Sequence, residues 1–336
     1  MIDISIIIPC RNEERFISKC LDSIINNDYP KDKLEVLVIE GRSTDRTREI
    51  IEDYANKYPF IKVLDNPKRI QTFATNIGIG TSNGEIIIRM DAHVEYPKDF
   101  IFKSVHWLEK SGADCVGGNL ITKPWADTQV AEAISLVLSH PFGVGNSYFR
   151  IGASEPRAVD TVPFGAYRKE VFDKIGLFNE NLVRTEDNEF NLRLKRAGGK
   201  ILLVPDIVSY YYARPNLKEL FKQNFGNGFW VLYSLRFAEI PFSIRHLVPL
   251  VFVLSFFGSL LLSLFYRPLI CLFAFVAGLY FVVNLLFSLK ISLKHGLKYL
   301  PSLIASFSAL HFSYGFGSIW GIARLIASLF QSQKAG

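Results

Sequence analysis

The stretch GEIIIRMDAHVEYP, Gly84–Pro97, decides how this chain folds. Ile86, Ile87 and Ile88 form a continuous apolar run with a glycine before it, the pattern of a strand covered on both faces in a parallel sheet. The run ends in Arg89-Met90-Asp91-Ala92-His93. A strand from an apolar core therefore delivers a carboxylate and an imidazole where it emerges.

Working outward, Ile4–Pro9 is a continuous apolar run of the same kind, and Leu34–Glu40 and Ile61–Asn66 read as further strands. Helical patterns separate them. One runs from Asn12-Glu13-Glu14 to Ile25, one from Arg46 with Ser43 as N-cap, and one over Ile70–Gly80. A helix closed by Gly112 and a fifth strand, DCVGGNL, follow. Strands alternating with helices predict right-handed βαβ units, an α/β fold with a mostly parallel central sheet. Beyond it, Ser139–Arg157 lacks periodicity and reads as a long loop over the site. Helical patterns return at Arg168–Ile175 and Glu186–Ala197, and KILLVP reads as a short strand.

Ligands of such a sheet bind at the carboxyl ends of its strands. Those ends carry Pro9, Arg11, Asn12 and Glu13, then Glu40, Arg42, Ser43 and Asp45, then Asp91 and His93. Polar groups from three strands thus converge on one rim. Two readings stand for Asp91-Ala92-His93. Either the aspartate and histidine hold a hard divalent cation, Mn or Mg, or Asp91 caps a turn and His93 is an ordinary loop residue. Arg11 and Arg89 are candidate positive charges for a phosphate at the same rim.

Charge divides the chain. No Asp or Glu follows Glu239, and seven of the 38 basic residues lie beyond it, leaving 31 against 32 acidic residues in the front part. The net charge of +6 thus comes from the tail. There basic residues punctuate apolar runs, which points to a membrane and away from nucleic acid. Leu247–Phe265 and Leu269–Leu289 are uncharged and long enough to span as helices, and a poorer third candidate covers about 299–325. Aromatic and basic residues alternate from Asn216 to His246, as in helices lying on a bilayer surface. The expected organisation is a catalytic domain over 1–215, interfacial helices over 216–246 and a multi-pass membrane domain over 247–330. MIDISIIIPC lacks the basic start and apolar length of a signal peptide, and KISLKHGLK follows the second span. Both predict a cytoplasmic catalytic domain at the cell membrane. The four cysteines show no CxxC pairing and read as reduced, buried thiols. GIGTSNG precedes a strand instead of opening a helix, unlike a dinucleotide-binding loop, and no GxSxG elbow is present.

Five segments then carry a resemblance: SIIIPCRNEERFISKCLDSI, VLVIEGRSTDRTREII, TNIGIGTSNGEIIIRMDAH, VPFGAYRKEVFDKIGLFNENL and EDNEFNLRLKRAGGKI. In this order they resemble a family 2 glycosyltransferase of the Rossmann-like GT-A fold, most closely membrane-bound enzymes of succinoglycan-type exopolysaccharide assembly. The resemblance implies that Pro9, Arg11 and Glu13 line the nucleotide pocket, with Asp45 and Ala92 beside it. Glu40 falls where the family has the first Asp of a pair near the base and ribose. Asp91 matches the first Asp of the DXD metal motif, His93 replaces its last Asp, and Asp187 matches the catalytic base. It further implies an inverting transfer from a nucleotide-sugar donor, by family default a UDP-sugar, to a lipid-linked saccharide among membrane lipids. Two alternatives are a polyprenyl-phosphate sugar synthase of the same fold and a non-catalytic nucleotide-sugar-binding membrane protein.

Overall fold

The computed structural model describes residues 3–239 and 244–334. The chain forms two compact units, Met1–Ile121 with Gly152–Tyr211, and Thr122–Ile151 with Tyr212–Gly336.

The first unit is built on nine strands: β1 (Ile4–Cys10), β2 (Leu34–Glu40), β3 (Ile61–Asp65), β4 (Ile86–Arg89), β5 (Val94–Glu95), β6 (Cys115–Lys123), β7 (Arg157–Ala158), β8 (Ala166–Arg168) and β9 (Ile201–Tyr212). Their order is β3-β2-β1-β4-β8-β6-β9-β5, with β7 on β9. The pairs among β3, β2, β1 and β4 are parallel, as the apolar runs predict. From β8 onward antiparallel pairs appear, giving a mixed sheet flanked by helices. Ile6, Ile7, Ile8, Val36, Leu37, Val38, Ile39 and Ile88 are fully buried. At about 25 cal/mol per Å² of apolar surface, that central block supplies most of the drive to form the sheet.

Register positions the site. Cys10 pairs with Glu40, Glu40 with Asp65, and Ile7 with Arg89, so the carboxyl ends of β1–β4 share one rim. Helix Gln71–Thr81 lies close on this block, because a Cβ on Gly78 would stand 2.6 Å from Ile7 Cγ2. Helix Phe100–Ser111 ends at Gly112, whose φ of 59° is left-handed and suits glycine.

Several local expectations are corrected. The helix expected from Arg46 with a Ser43 cap begins at Thr47, and the Ser43 hydroxyl is taken up by the neighbouring loop. The short strand KILLVP extends to Tyr212, because residues past Asp206 alternate between buried and half-buried positions. Arg168 closes strand β8, and the helix there starts at Glu170. Of the cysteines, Cys10, Cys20 and Cys115 are buried and free, but Cys271 is free and exposed.

The second unit contains helices Gln129–Leu138, Leu217–Tyr233, Ile244–Leu262, Leu269–His295 and Leu300–Lys334. The expected loop Ser139–Arg157 instead forms helical turns at Pro141–Val144 and Tyr148–Ile151. Aromatic packing explains the first of these. The Phe142 ring lies 4.8 Å from Phe287, 4.9 Å from Phe307 and 4.7 Å from His311, centroid to centroid. Of the expected interfacial stretch 216–246, residues 240–243 lie outside the described residues; its first part is the helix Leu217–Tyr233. Arg245–Leu262 and Leu269–His295 are long and apolar enough to cross a membrane. The third candidate is a 35-residue helix, Leu300–Lys334.

That long helix meets Leu217–Tyr233 backbone to backbone. A Cβ on Gly317 would stand 2.0 Å from Phe225 O, and one on Gly228 2.0 Å from Tyr314 O. Glycine, which has no Cβ, permits two helix backbones to approach this closely. Gly317→Leu is therefore expected to destabilise the unit by about 3 kcal/mol or more, since the obstructing atoms are backbone and cannot turn aside. Thermal melting in detergent checks this.

Candidate functional site

The loops after β1 and β2 form one wall of a cleft. Asn12, at φ 55°, donates its N–H to Ser43 Oγ at 2.9 Å, and its Oδ1 accepts from Thr44 N at 2.8 Å. Glu13 N donates to Thr47 Oγ1 at 2.7 Å, and Arg46 N to Glu14 Oε2 at 3.1 Å. These reciprocal bonds brace the left-handed residues Asn12 and Arg42, the latter at φ 54°.

Two sequence candidates serve this bracing. Glu40 is fully buried and accepts from Arg42 N at 3.0 Å and Ser43 N at 2.6 Å, with Arg48 Nη1 at 3.5 Å. Its carboxylate thus satisfies the loop backbone. Asp45 accepts from the Thr47 backbone and hydroxyl and from Glu14 N. Burial would raise its pKa, but the Thr47 and Glu14 hydrogen bonds outweigh that and hold it below the usual value.

Pro9, Arg11, Glu13, Asp91, Ala92 and His93 do come together, around a cavity of about 140 Å³. Asn66, Arg69, Ile70 and Gln71 complete it and were not singled out from the sequence. Their signal was the Asn66-Pro67 break after the third strand, on the same rim. Arg69 sits at φ 59° in a turn held by Asn66, whose Nδ2 donates to Ile70 O at 2.9 Å.

Asp91 is fixed by its backbone. Its N–H donates to Tyr96 Oη at 2.8 Å, the tyrosine being buried, and Met90 N donates to Ile7 O at 2.9 Å. His93 Nδ1 lies 3.2 Å from Glu13 Oε1, and its ring meets Phe16 and Tyr211 edge-on. Among the described residues no group of three or more Asp, Glu, His or Cys side chains is placed to hold a metal ion.

Asp187 joins this site through a residue the sequence reading had aimed elsewhere. Helix Glu186–Arg196 starts after Thr185, at φ 66°, and its first turn carries Glu186, Asp187 and Glu189. Arg89, from the end of β4, places Nη1 at 2.6 and 2.7 Å from the two Asp187 oxygens. Its Nη2 lies 3.4 Å from Asp91 Oδ1 and 3.6 Å from Glu186 Oε1. Far from reaching into the cleft for a phosphate, Arg89 draws three carboxylates around itself. Asp91 belongs both to this cluster and to the cleft wall.

Glu186 bears the electrostatic cost. Burial first, then the Asp187 charge, push its carboxyl from 4.5 up to about 7, against the pull of Arg89. A carboxyl raised in the folded state costs nothing below its unfolded pKa. The cost grows from about pH 4.5 to 7 and is complete above that window. Glu186→Gln is therefore expected to stabilise the protein near pH 8 and to have little effect near pH 4. Denaturant unfolding across that range tests this.

The Glycosyl transferase family 2 profile matches residues 5–176. A Methanococcus voltae protein, dolichyl N-acetyl-alpha-D-glucosaminyl phosphate 3-beta-D-2,3-diacetamido-2,3-dideoxy-beta-D-glucuronosyltransferase, is 33% identical over 93% of this chain and 95% of its own. Succinoglycan biosynthesis protein ExoA of Rhizobium meliloti is 33% identical over 76% of this chain and 77% of its own. Among solved structures, the mannosyltransferase PcManGT from Pyrobaculum calidifontis, in complex with GDP-Man and Mn2+, superposes with a TM-score of 0.59. The match covers 95% of this chain and 89% of that one at 18% identity, a likeness of fold. The cleft at the strand ends, the GT-A sheet behind it and these two relatives agree: the chain belongs to glycosyl transferase family 2.

Proposed function

We propose that this enzyme is a membrane-anchored, inverting glycosyltransferase. It moves a sugar from a nucleotide-diphosphate donor to a lipid-linked saccharide. The observation that carries the reading is the Arg89 bridge, which joins Asp91 on the cleft wall to Asp187 in one acidic cluster.

The nucleotide enters the cleft bounded by Pro9, Arg11, Glu13 and Arg69. Arg11 and Arg69 have no acidic partner among the described residues and bring positive charge to its diphosphate. The donor set also fits a cation. Asp91 Oδ2 has no hydrogen-bond partner among the described residues, and the Asp91 side chain stays 22% exposed on the cleft wall that His93 shares. Asp91 and His93 would hold Mn or Mg, which, when bound, supplies charge to the leaving diphosphate. Asp187 accepts the proton of the acceptor hydroxyl as its oxygen attacks the anomeric carbon. The bond from that carbon to the diphosphate breaks, the diphosphate leaves with the electron pair, and a single displacement inverts the configuration.

The acceptor reading is supported by the Methanococcus relative, whose name describes a sugar-bearing dolichyl phosphate. It is supported also by the apolar helices Arg245–Leu262 and Leu269–His295. On the latter Phe275 is 66% and Leu286 60% exposed, apolar surface that hydrocarbon would cover. We assign the two helices to the membrane as an anchor, residues 1–215 to catalysis on the cytoplasmic face, and a UDP-sugar to the donor site.

The test incubates the purified protein with labelled nucleotide-sugars, Mn or Mg, and one of two acceptors, a polyprenyl-linked saccharide or bare polyprenyl phosphate. Single-sugar addition to the linked saccharide is expected. Transfer only to bare polyprenyl phosphate would make the enzyme a synthase of the lipid-linked sugar. Donor binding without transfer to either would make it a binding protein.

A further inference from the structure

We propose that Arg89 is a positioning residue, which orients Asp187 for proton acceptance from the rigid end of β4; this rests on the base assigned above. The guanidinium is fixed from behind. Strand β4 lies between β1 and β8, Ile7 is its register partner, and Arg89 N donates to Gly165 O at 3.2 Å. In front, one nitrogen, Nη1, lies within 2.7 Å of both Asp187 oxygens. Asp187 itself lies in the first turn of a helix that starts after the left-handed Thr185, and is 35% exposed at its side chain. The helix start alone leaves its carboxylate free to turn, and the arginine removes that freedom.

The contacts are unequal, and that inequality decides the role. Asp91 and Glu186 stand 3.4 and 3.6 Å from Nη2, while Asp187 holds the short contacts. Among the described residues Arg89 Nε is buried with no hydrogen-bond partner, a cost that an arginine placed only for stability has no reason to bear. A lysine would bring a point charge to the same place but not the planar guanidinium that engages separate carboxylates through different nitrogens. The cleft wall keeps Asp91 through its own backbone bonds, so Arg89 is expected to act on turnover rather than on donor binding.

The experiment is a double-mutant cycle in the full chain, with donor titrated at saturating acceptor so that kcat and donor KM are both read. Arg89→Met is paired with Arg89→Lys, because removing the cation from three carboxylates threatens folding and the lysine keeps the charge. Arg89→Lys is expected to lower kcat about 10-fold and Arg89→Met about 100-fold, with donor KM within about twofold of wild type. In an Asp187→Asn background neither is expected to lower kcat further, since both changes act through one group. If either arginine variant multiplies the Asp187→Asn loss, or raises donor KM while kcat holds, Arg89 does not work through Asp187. If Arg89→Lys turns over like wild type, it positions nothing. Full activity of Asp187→Asn alone would overturn the base assignment, a different failure from these.

Discussion

Asp187→Asn is expected to reduce turnover by about 10²–10⁴-fold while leaving donor binding in place, the range a positioned general base contributes. The substitution keeps size and hydrogen-bonding shape but removes the ability to take a proton. It also removes one negative charge from a cluster in which Arg89 faces Asp91, Glu186 and Asp187. Folding should therefore not suffer. The loss should fall on kcat, because the cleft lined by Arg11, Arg69 and Asp91 does not include Asp187 among its walls. Steady-state kinetics with thermal melting of the same preparation separates the two. Wild-type turnover by a folded variant would remove Asp187 from the role of base.

Asp91→Asn should fail differently. Asp91 sits where the cleft and the acidic cluster meet, its backbone held by Tyr96 Oη at 2.8 Å. On the proposed reading a divalent cation would be held by Asp91 and His93, and the substitution would remove its anionic ligand. We expect activity to fall about 10²–10³-fold, the scale of deleting one electrostatic stabiliser of a developing charge. The rise in melting temperature with nucleotide plus Mn should fall with it, because a ligand stabilises only in proportion to its binding. A full thermal shift in Asp91→Asn would remove Asp91 from the donor site.

Much of this architecture is legible in the sequence where burial is one-dimensional. β1, β2 and β4 are dominated by isoleucine, leucine and valine, and each is placed by its apolar run. The antiparallel strands are less visible: β8 has three residues and β7 two, too short to show a period. The segment Pro141–Ile151 is written as a loop by Gly143, Gly145 and Ser147. Its first turn is fixed by the distant rings of Phe287 and Phe307, which no local pattern announces.

The site divides in the same way. Strand ends predict which residues share the rim, and Pro9, Arg11, Glu13, Asp91, Ala92 and His93 do share it. Strand ends do not predict where a side chain turns. Glu40 caps its own loop through Arg42 N and Ser43 N, and Asp45 holds a helix start, because unsatisfied backbone N–H groups nearby compete for them. The Arg89–Asp187 pair joins residues 98 positions apart, and only the folded sheet brings them together.

The most direct measurement is a structure of the full chain with a non-transferable nucleotide-sugar and Mn. It should show the diphosphate and a manganese anomalous peak at Asp91, with the Asp187 carboxylate on the opposite face of the sugar. A donor seated away from Asp91, or an anomeric carbon with Asp187 on its leaving-group side or out of reach, would contradict a single site built from these two carboxylates.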